Sequence, residues 1–326
     1  MAILLRDLIK QIPSDTQDRV DQTRTRFNST IRELIKQETG LMLRRGEADK
    51  GNKTESVSVP VKLVPGLPIA LQDISFDDSL DLLLLISPQR KYLQSANANL
   101  KHLAPFFVEV AKHPKAFKGS ETSLVPCANY TQKSIAWLLE QLAKDDPVKK
   151  ILSVDEDVLG AYYYGSNDTT LFQVDTPTDC KIELYWAVIG LVAGMLGVET
   201  EHLTAVVLAH EVAHAYTHLG ADIDGHRWVT DGFARTDRSV KEGLAQYYTI
   251  QIAKRLELQI SGYTAAFHEM LKSQPVAYHA HELWVTGNKP EEVRLAMLEF
   301  RRDGSGNVQK FNTALVEAKK RLRKHA

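Results

Sequence analysis

Leu203-Thr204-Ala205-Val206-Val207-Leu208-Ala209-His210-Glu211-Val212-Ala213-His214-Ala215-Tyr216-Thr217 decides how the chain is read. It places His-Glu-x-x-His inside a long apolar run. Residues four apart on a helix are separated by about one turn and point nearly the same way. His210 and His214 therefore present two imidazoles to one point. Glu211 sits a little over a quarter turn from His210, off the imidazole face but within reach of a water held there. Glu201 and Thr204 lie at the expected helix start. The run is apolar on every side, so the helix is expected to be buried. Two buried imidazoles and a carboxylate are costly without partners. A zinc ion with a general base beside it removes that cost.

A tetrahedral catalytic site needs a third protein ligand and one open position. His218 continues the His210/His214 row, but three residues over two turns, each rising about 5.4 Å, cannot converge on one ion. Thr217 and Gly220 stand where a closely spaced Gly and third His would be. Glu242 is the better candidate, in Val240-Lys241-Glu242-Gly243-Leu244-Ala245-Gln246. It opens a second apolar helix, with Leu244, Tyr248, Ile252 and Leu256 on one row. Gly243 is expected to allow a close approach of two helix backbones. Gln246, one turn beyond Glu242, is placed to hold the free ring nitrogen of a ligating histidine. Asp222, Asp224 and His226, in the loop after the first helix, are rival ligands.

With Glu242-Gly243-x-Ala245 following His210-Glu211-x-x-His214, the stretch from about Asp157 to about His281 resembles the gluzincin group of zinc metallopeptidases. The resemblance implies a zincin-like catalytic region with a small sheet ahead of the metal helix. It also implies Zn2+ held by His210, His214 and Glu242, Glu211 as the base, and a peptide or protein substrate. Two departures stand out: the spacing from His214 to Glu242 is longer than the commonest ones, and Gln246 replaces an Asp. Members of the group use a later Tyr or His to stabilise the oxyanion. Tyr278 and His281, three apart beyond Pro275, are the candidates, with His268 and His279 behind them.

The rest of the chain sets bounds. Its 326 residues, 44% hydrophobic and 25% charged, suit a soluble globular protein of one large or two smaller domains. A formal net charge of −1 gives no field for nucleic acid or an anionic membrane. Cys127 and Cys180 lack metal-ligand spacing and are expected as buried thiols. The first residues have no signal-peptide pattern, and Trp186 to Val198, the longest apolar stretch, is too short for a membrane span. The expected location is cytoplasmic.

The expected fold is α+β and predominantly helical. Residues 1–50 read as a helical N-terminal extension, with Ser14-Asp15-Thr16 as N-cap, Gly40 as stop, and Phe27, Ile31, Leu34 and Ile35 as an apolar stripe. Residues 51–150 read as a mixed, mostly helical region. Residues 44–56 form a polar loop, and Val57–Val64 an edge strand containing Pro60. Helices follow from Asp77, divided at Pro88 and Pro105, and again over Thr131–Lys144. Residues 151–326 read as the zincin-like domain with a basic C-terminal helix. Within it, Val158–Gly165 and Thr170–Val174 suggest a hairpin, and Ile182–Trp186 a short strand before a helix at Ala187–Leu196. Two readings from other classes remain: a catalytically silent zincin fold serving as a binding module, and a metal-free helical interaction protein.

Overall fold

The computed structural model describes residues 3–43, 58–72, 74–76, 86–113, 121–144, 147–154, 157–164, 180–222, 230–259, 261–303 and 305–325. The first half of the chain supplies β1 (Ile3–Leu4), α1 (Leu5–Ile9), α2 (Thr16–Thr39), β2 (Val61–Val64), β3 (Ser75–Phe76), α3 (Arg90–Lys112), α4 (Glu121–Lys144) and α5 (Pro147–Leu152). The second half supplies β4 (Gly160–Tyr163), β5 (Lys181–Tyr185), α6 (Trp186–Leu196), α7 (Thr200–Leu219), α8 (Thr230–Ala234) and α9 (Arg238–Glu257). After these come α10 (Tyr263–Leu271), a 3-10 segment over Val276–His281, α11 (Glu282–Gly287), α12 (Pro290–Arg302) and α13 (Val308–His325). The architecture is predominantly helical with a small three-stranded sheet, as the sequence pattern predicts.

The His-Glu-x-x-His run forms α7, and α7 is the centre of the molecule. Helices α2, α6, α9 and α10 and strands β4 and β5 all pack on it. This follows from its composition. Every residue from Leu203 to Ala213 is buried, so no face is left for water. Helix α2 covers one side through Val20, Phe27, Ile31 and Ile35, all buried. Arg19 of α2 grips Glu201 at the start of α7 with two bonds, at 2.7 and 2.6 Å. At the far end, the buried Arg301 of α12 donates to the His218 carbonyl at 3.0 Å and ties down the last turn.

The sheet has the order β2-β5-β4. Strand β2 runs parallel to β5, with Val61 opposite Ile182 and Val64 opposite Tyr185. Pro60 has no amide proton to give, but its carbonyl accepts from Ile182 at 2.8 Å, so the edge position costs it nothing. Strand β4 is antiparallel to β5, with Gly160 opposite Leu184 and Tyr162 opposite Ile182. The expected hairpin partner of the tyrosine run, Thr170–Val174, lies outside the described residues, as do the polar loop 44–56 and the stretch 77–85.

Four local readings need correction. Pro105 does not divide a helix: it lies inside α3. The residues around it are exposed, so the carbonyl deprived of its partner is hydrated rather than orphaned. Helix α4 likewise begins ahead of Thr131 and runs through Pro126. Asp15 stands at the N-cap of α2 but makes no capping bond; the Thr16 hydroxyl donates to the Pro13 carbonyl instead, at 2.6 Å. Gly40 ends the helix as predicted, at φ 64°. Of the two thiols, Cys180 is buried as expected, but Cys127 is exposed on α4, the fourth correction. No helix among the described residues is long and apolar enough to cross a membrane.

Candidate metal centre

Helix α7 sets His210 and His214 one turn apart, and α9 brings Glu242 across to meet them. The two Nε2 atoms are 3.0 Å apart. Glu242 Oε2 lies 3.2 Å from each. Zinc–ligand bonds of about 2.0–2.1 Å place neighbouring ligand atoms of a tetrahedron roughly 3.3 Å apart. The triangle therefore has nearly the dimensions of one tetrahedral face. His210 and Glu242 are buried, while His214 keeps a small exposed edge.

Electrostatics agree with the geometry. Burial would raise the Glu242 carboxyl, but the facing His214 and His210 imidazoles outweigh it and hold the group below the usual carboxylate range. Burial pushes His214 down, but Glu242, with Glu211 and Asp157 behind it, carries the imidazole up to about 9. Three carboxylates share this interior with two imidazoles. The Glu242 carboxylate beside the two rings favours positive charge there, on His214 or on a cation that the three ligand atoms could hold.

Glu211 lies beside the triangle. Burial pushes its carboxyl well above the ordinary range, and the nearby Asp157 carboxylate adds to the push. The His214 imidazole and, after it, the Tyr162 backbone amide pull the other way. Its Oε2 is buried with no hydrogen-bond partner among the described residues. The room for Glu211 is made by β4. A Cβ on Gly160 would come within 2.9 Å of both Glu211 Cγ and Val207 Cγ1.

Helix α9 starts cleanly because Asp237 accepts from the Ser239 amide at 2.7 Å. Gly243 does permit a close approach, but to a side chain and the 3-10 segment rather than to a second helix backbone. Its Cβ would meet Trp284 at 2.7 Å and Ala280 at 3.0 Å. Gln246 does not hold a histidine. Its Nε2 donates to Gln274 Oε1 at 2.8 Å, and His210 Nδ1 is left buried without a partner among the described residues.

Tyr278 reaches the site and His281 faces away from it. The Tyr278 ring stacks on His210, with centroids 5.8 Å apart. Its hydroxyl donates to Asp157 Oδ1 and accepts from Arg238 Nη2 at 3.5 Å. Burial pushes the phenol well above its ordinary range, and the Asp157 carboxylate adds to it. His281 instead bonds the Tyr278 carbonyl through Nδ1 at 2.7 Å and packs edge-on against Phe267. It braces the segment that carries Tyr278. His268 is exposed, and His279 pairs with Glu282 at 2.8 Å.

The rivals for the third ligand position are accounted for where they are described. Asp222 faces Arg294 at 3.5 Å, and His218 bonds the Tyr162 hydroxyl at 3.1 Å through Nδ1. Asp224 and His226 lie outside the described residues. Sequence reasoning passes over Asp157 and Arg238. Asp157 precedes β4 in a stretch with no motif, Arg238 opens α9, and only the fold brings both to Tyr278.

The donor set could hold a metal ion. Two imidazole nitrogens and one carboxylate oxygen converge at tetrahedral spacing, and all three residues are held by packed helices rather than loops. No family model, curated protein or solved structure matches the chain, so the site rests on its own geometry.

Proposed function

We propose that the protein is a zinc-dependent peptidase of the gluzincin type, hydrolysing peptide bonds of a peptide or protein substrate. One observation carries this reading. The His210, His214 and Glu242 ligand atoms form a triangle of 3.0, 3.2 and 3.2 Å, and a buried glutamate with an unpartnered oxygen stands next to it.

Bound there, zinc supplies Lewis acidity toward a water and a carbonyl oxygen, and its charge draws Glu211 toward the ionised form. Glu211 Oε2 then takes a proton from the attacking water and returns it to the leaving amine. Glu211 serves as a base because it lies off the ligand face of α7 and keeps one oxygen unengaged. As negative charge develops on the carbonyl oxygen, the Tyr278 O–H turns from Asp157 Oδ1 to donate there instead. Arg238 keeps donating to the phenol oxygen, and His281 fixes the backbone beneath it. Burial on α7 and α9 keeps the ligand triangle rigid before substrate arrives.

Glu211→Gln tests this reading. The variant keeps the shape of the side chain and removes its ability to take a proton. It leaves the three ligands untouched, so metal content should equal that of the wild type. Hydrolysis of a mixed peptide library should fall by about 10²–10⁴. Equal cleavage by wild type and variant would show that Glu211 is not the base.

A further inference from the structure

Among the described residues, three hollows border the triangle: the widest, about 580 Å³, opens past Glu242 between Arg238, Lys241 and Tyr185, and two smaller ones of different size lie one against each histidine. The one on the Glu211 side has a volume of about 30 Å³. Leu152, Val158, Val207 and Met270 line it with apolar atoms. Asp157, His210, Glu211, Gln274 and Tyr278 bring polar groups alongside them. A space of that size takes a water molecule or a methyl group and little more. Gly160 backs it, already too close to Glu211 for a side chain of its own.

The hollow on the other side, against His214 and Glu242, measures about 130 Å³. An apolar cavity of about 150 Å³ holds benzene. Its wall is largely aromatic. The Tyr164 ring centroid lies 4.4 Å from that of His218 and 5.9 Å from that of Tyr162, and Phe233 stacks on His218 at 6.3 Å. Two polar groups of this wall are engaged. Tyr162 bonds His218, and Lys241 Nζ donates to the Ala234 carbonyl at 3.0 Å. Charge in the lining is mixed, with Lys241 set against Asp157 and Glu242. Buried Arg301 lies behind, bonded to the His218 carbonyl. An ionised side chain entering here would exchange its hydration for aromatic faces and find no single sign of charge to meet it. A neutral side chain of leucine to phenylalanine size loses nothing and gains aromatic contact.

We infer that the two smaller hollows are unequal subsites, and that the protein cleaves bonds flanked by a small residue on one side and a large neutral apolar or aromatic residue on the other. This rests on the peptidase reading and adds the substrate class to it. The small subsite admits Gly, Ala or Ser. The large one admits Leu, Met or Phe and rejects Asp, Glu, Lys and Arg.

The test is mass-spectrometric mapping of cleavage sites in a random peptide library, using wild type, Ala234→Leu and Val207→Ala. Ala234→Leu fills the aromatic hollow, and Val207→Ala enlarges the small one. Neither residue is a ligand, the base or the carbonyl donor. Wild type should show the unequal pair at the scissile bond. Ala234→Leu should lower cleavage at Phe relative to Ala about tenfold or more, with the small side unchanged. Val207→Ala should let the small side accept Val or Thr, with the large side unchanged. Melting curves and metal content identify any variant that fails to fold. Cleavage that depends on Glu211 but shows no such pair, or a pair that neither variant moves, would overturn the inference and leave the peptidase reading standing.

If no peptide is cleaved, the peptidase reading fails, and a binding measurement decides the aromatic hollow separately. Saturation-transfer NMR on purified protein should then detect N-acetylphenylalaninamide but not N-acetylglycinamide, and Ala234→Leu should abolish the signal. Absence of that binding would overturn the aromatic subsite as well.

Discussion

Gly160 and Glu211 touch across the boundary between sheet and helix, so closely that a single methyl on Gly160 would come within 2.9 Å of Glu211 Cγ. The glycine is not needed for a turn; it clears space for the proposed base. Gly160→Ala should therefore push Glu211 aside without disturbing His210, His214 or Glu242. Misplacement of a reacting group by about 1 Å costs roughly 10²-fold. We expect hydrolysis to fall by about that factor while elemental analysis finds unchanged metal content. Full activity in this variant would mean that the position of Glu211 is immaterial to the reaction.

Tyr278 is the second handle on the chemistry. Tyr278→Phe keeps the ring stacked on His210 and removes only the hydroxyl shared with Asp157 and Arg238. Loss of one donor to a developing oxyanion typically costs about 10²–10³ in kcat. The expected result is a drop of that size in kcat with KM little changed and metal retained. A change confined to KM would assign the hydroxyl to substrate binding instead.

Gly243 gives a stability prediction in which two effects oppose. Gly243→Ala favours the α9 helix by up to about 1 kcal/mol. It also drives a methyl to within 2.7 Å of the buried Trp284 ring. Overpacking a close-packed core costs about 1–3 kcal/mol, so the loss should win. Denaturant unfolding should show a net destabilisation, smaller in a Trp284→Phe background where the ring is shorter. A more stable Gly243→Ala protein would mean that Trp284 has free room to shift.

The parts of this account legible in sequence are the local ones. The pairing of His210 with His214 needs only the helical repeat, and the apolar residues around them announce a buried helix. Glu242 could be picked out because it opens a second helix with the same burial pattern. Strand β5 and helix α6 follow from β-branched and aromatic residues giving way to an unbroken apolar run. What the sequence could not show depends on contacts between distant segments. Asp157 becomes a site residue only when the 3-10 segment folds back and aims the Tyr278 hydroxyl at it. Tyr278 and His281 are three apart and look equivalent, yet one ring stacks on His210 while the other bonds the backbone beneath. Gln246 has the right position for a histidine partner, but Gln274 takes its amide first. Pro105 reads as a helix breaker, and exposure to water removes most of the reason for the break.

The central claim is that His210, His214 and Glu242 together hold one metal ion. Elemental analysis of the purified protein tests it most directly, carried out on wild type, on the double variant His210→Ala/His214→Ala, and on Glu242→Gln. The account predicts one zinc per chain in the wild type and none in the double variant. Glu242→Gln should show sharply reduced occupancy after mild chelation. Full zinc occupancy in the double variant, or a stable wild-type protein that takes up no zinc, would contradict it.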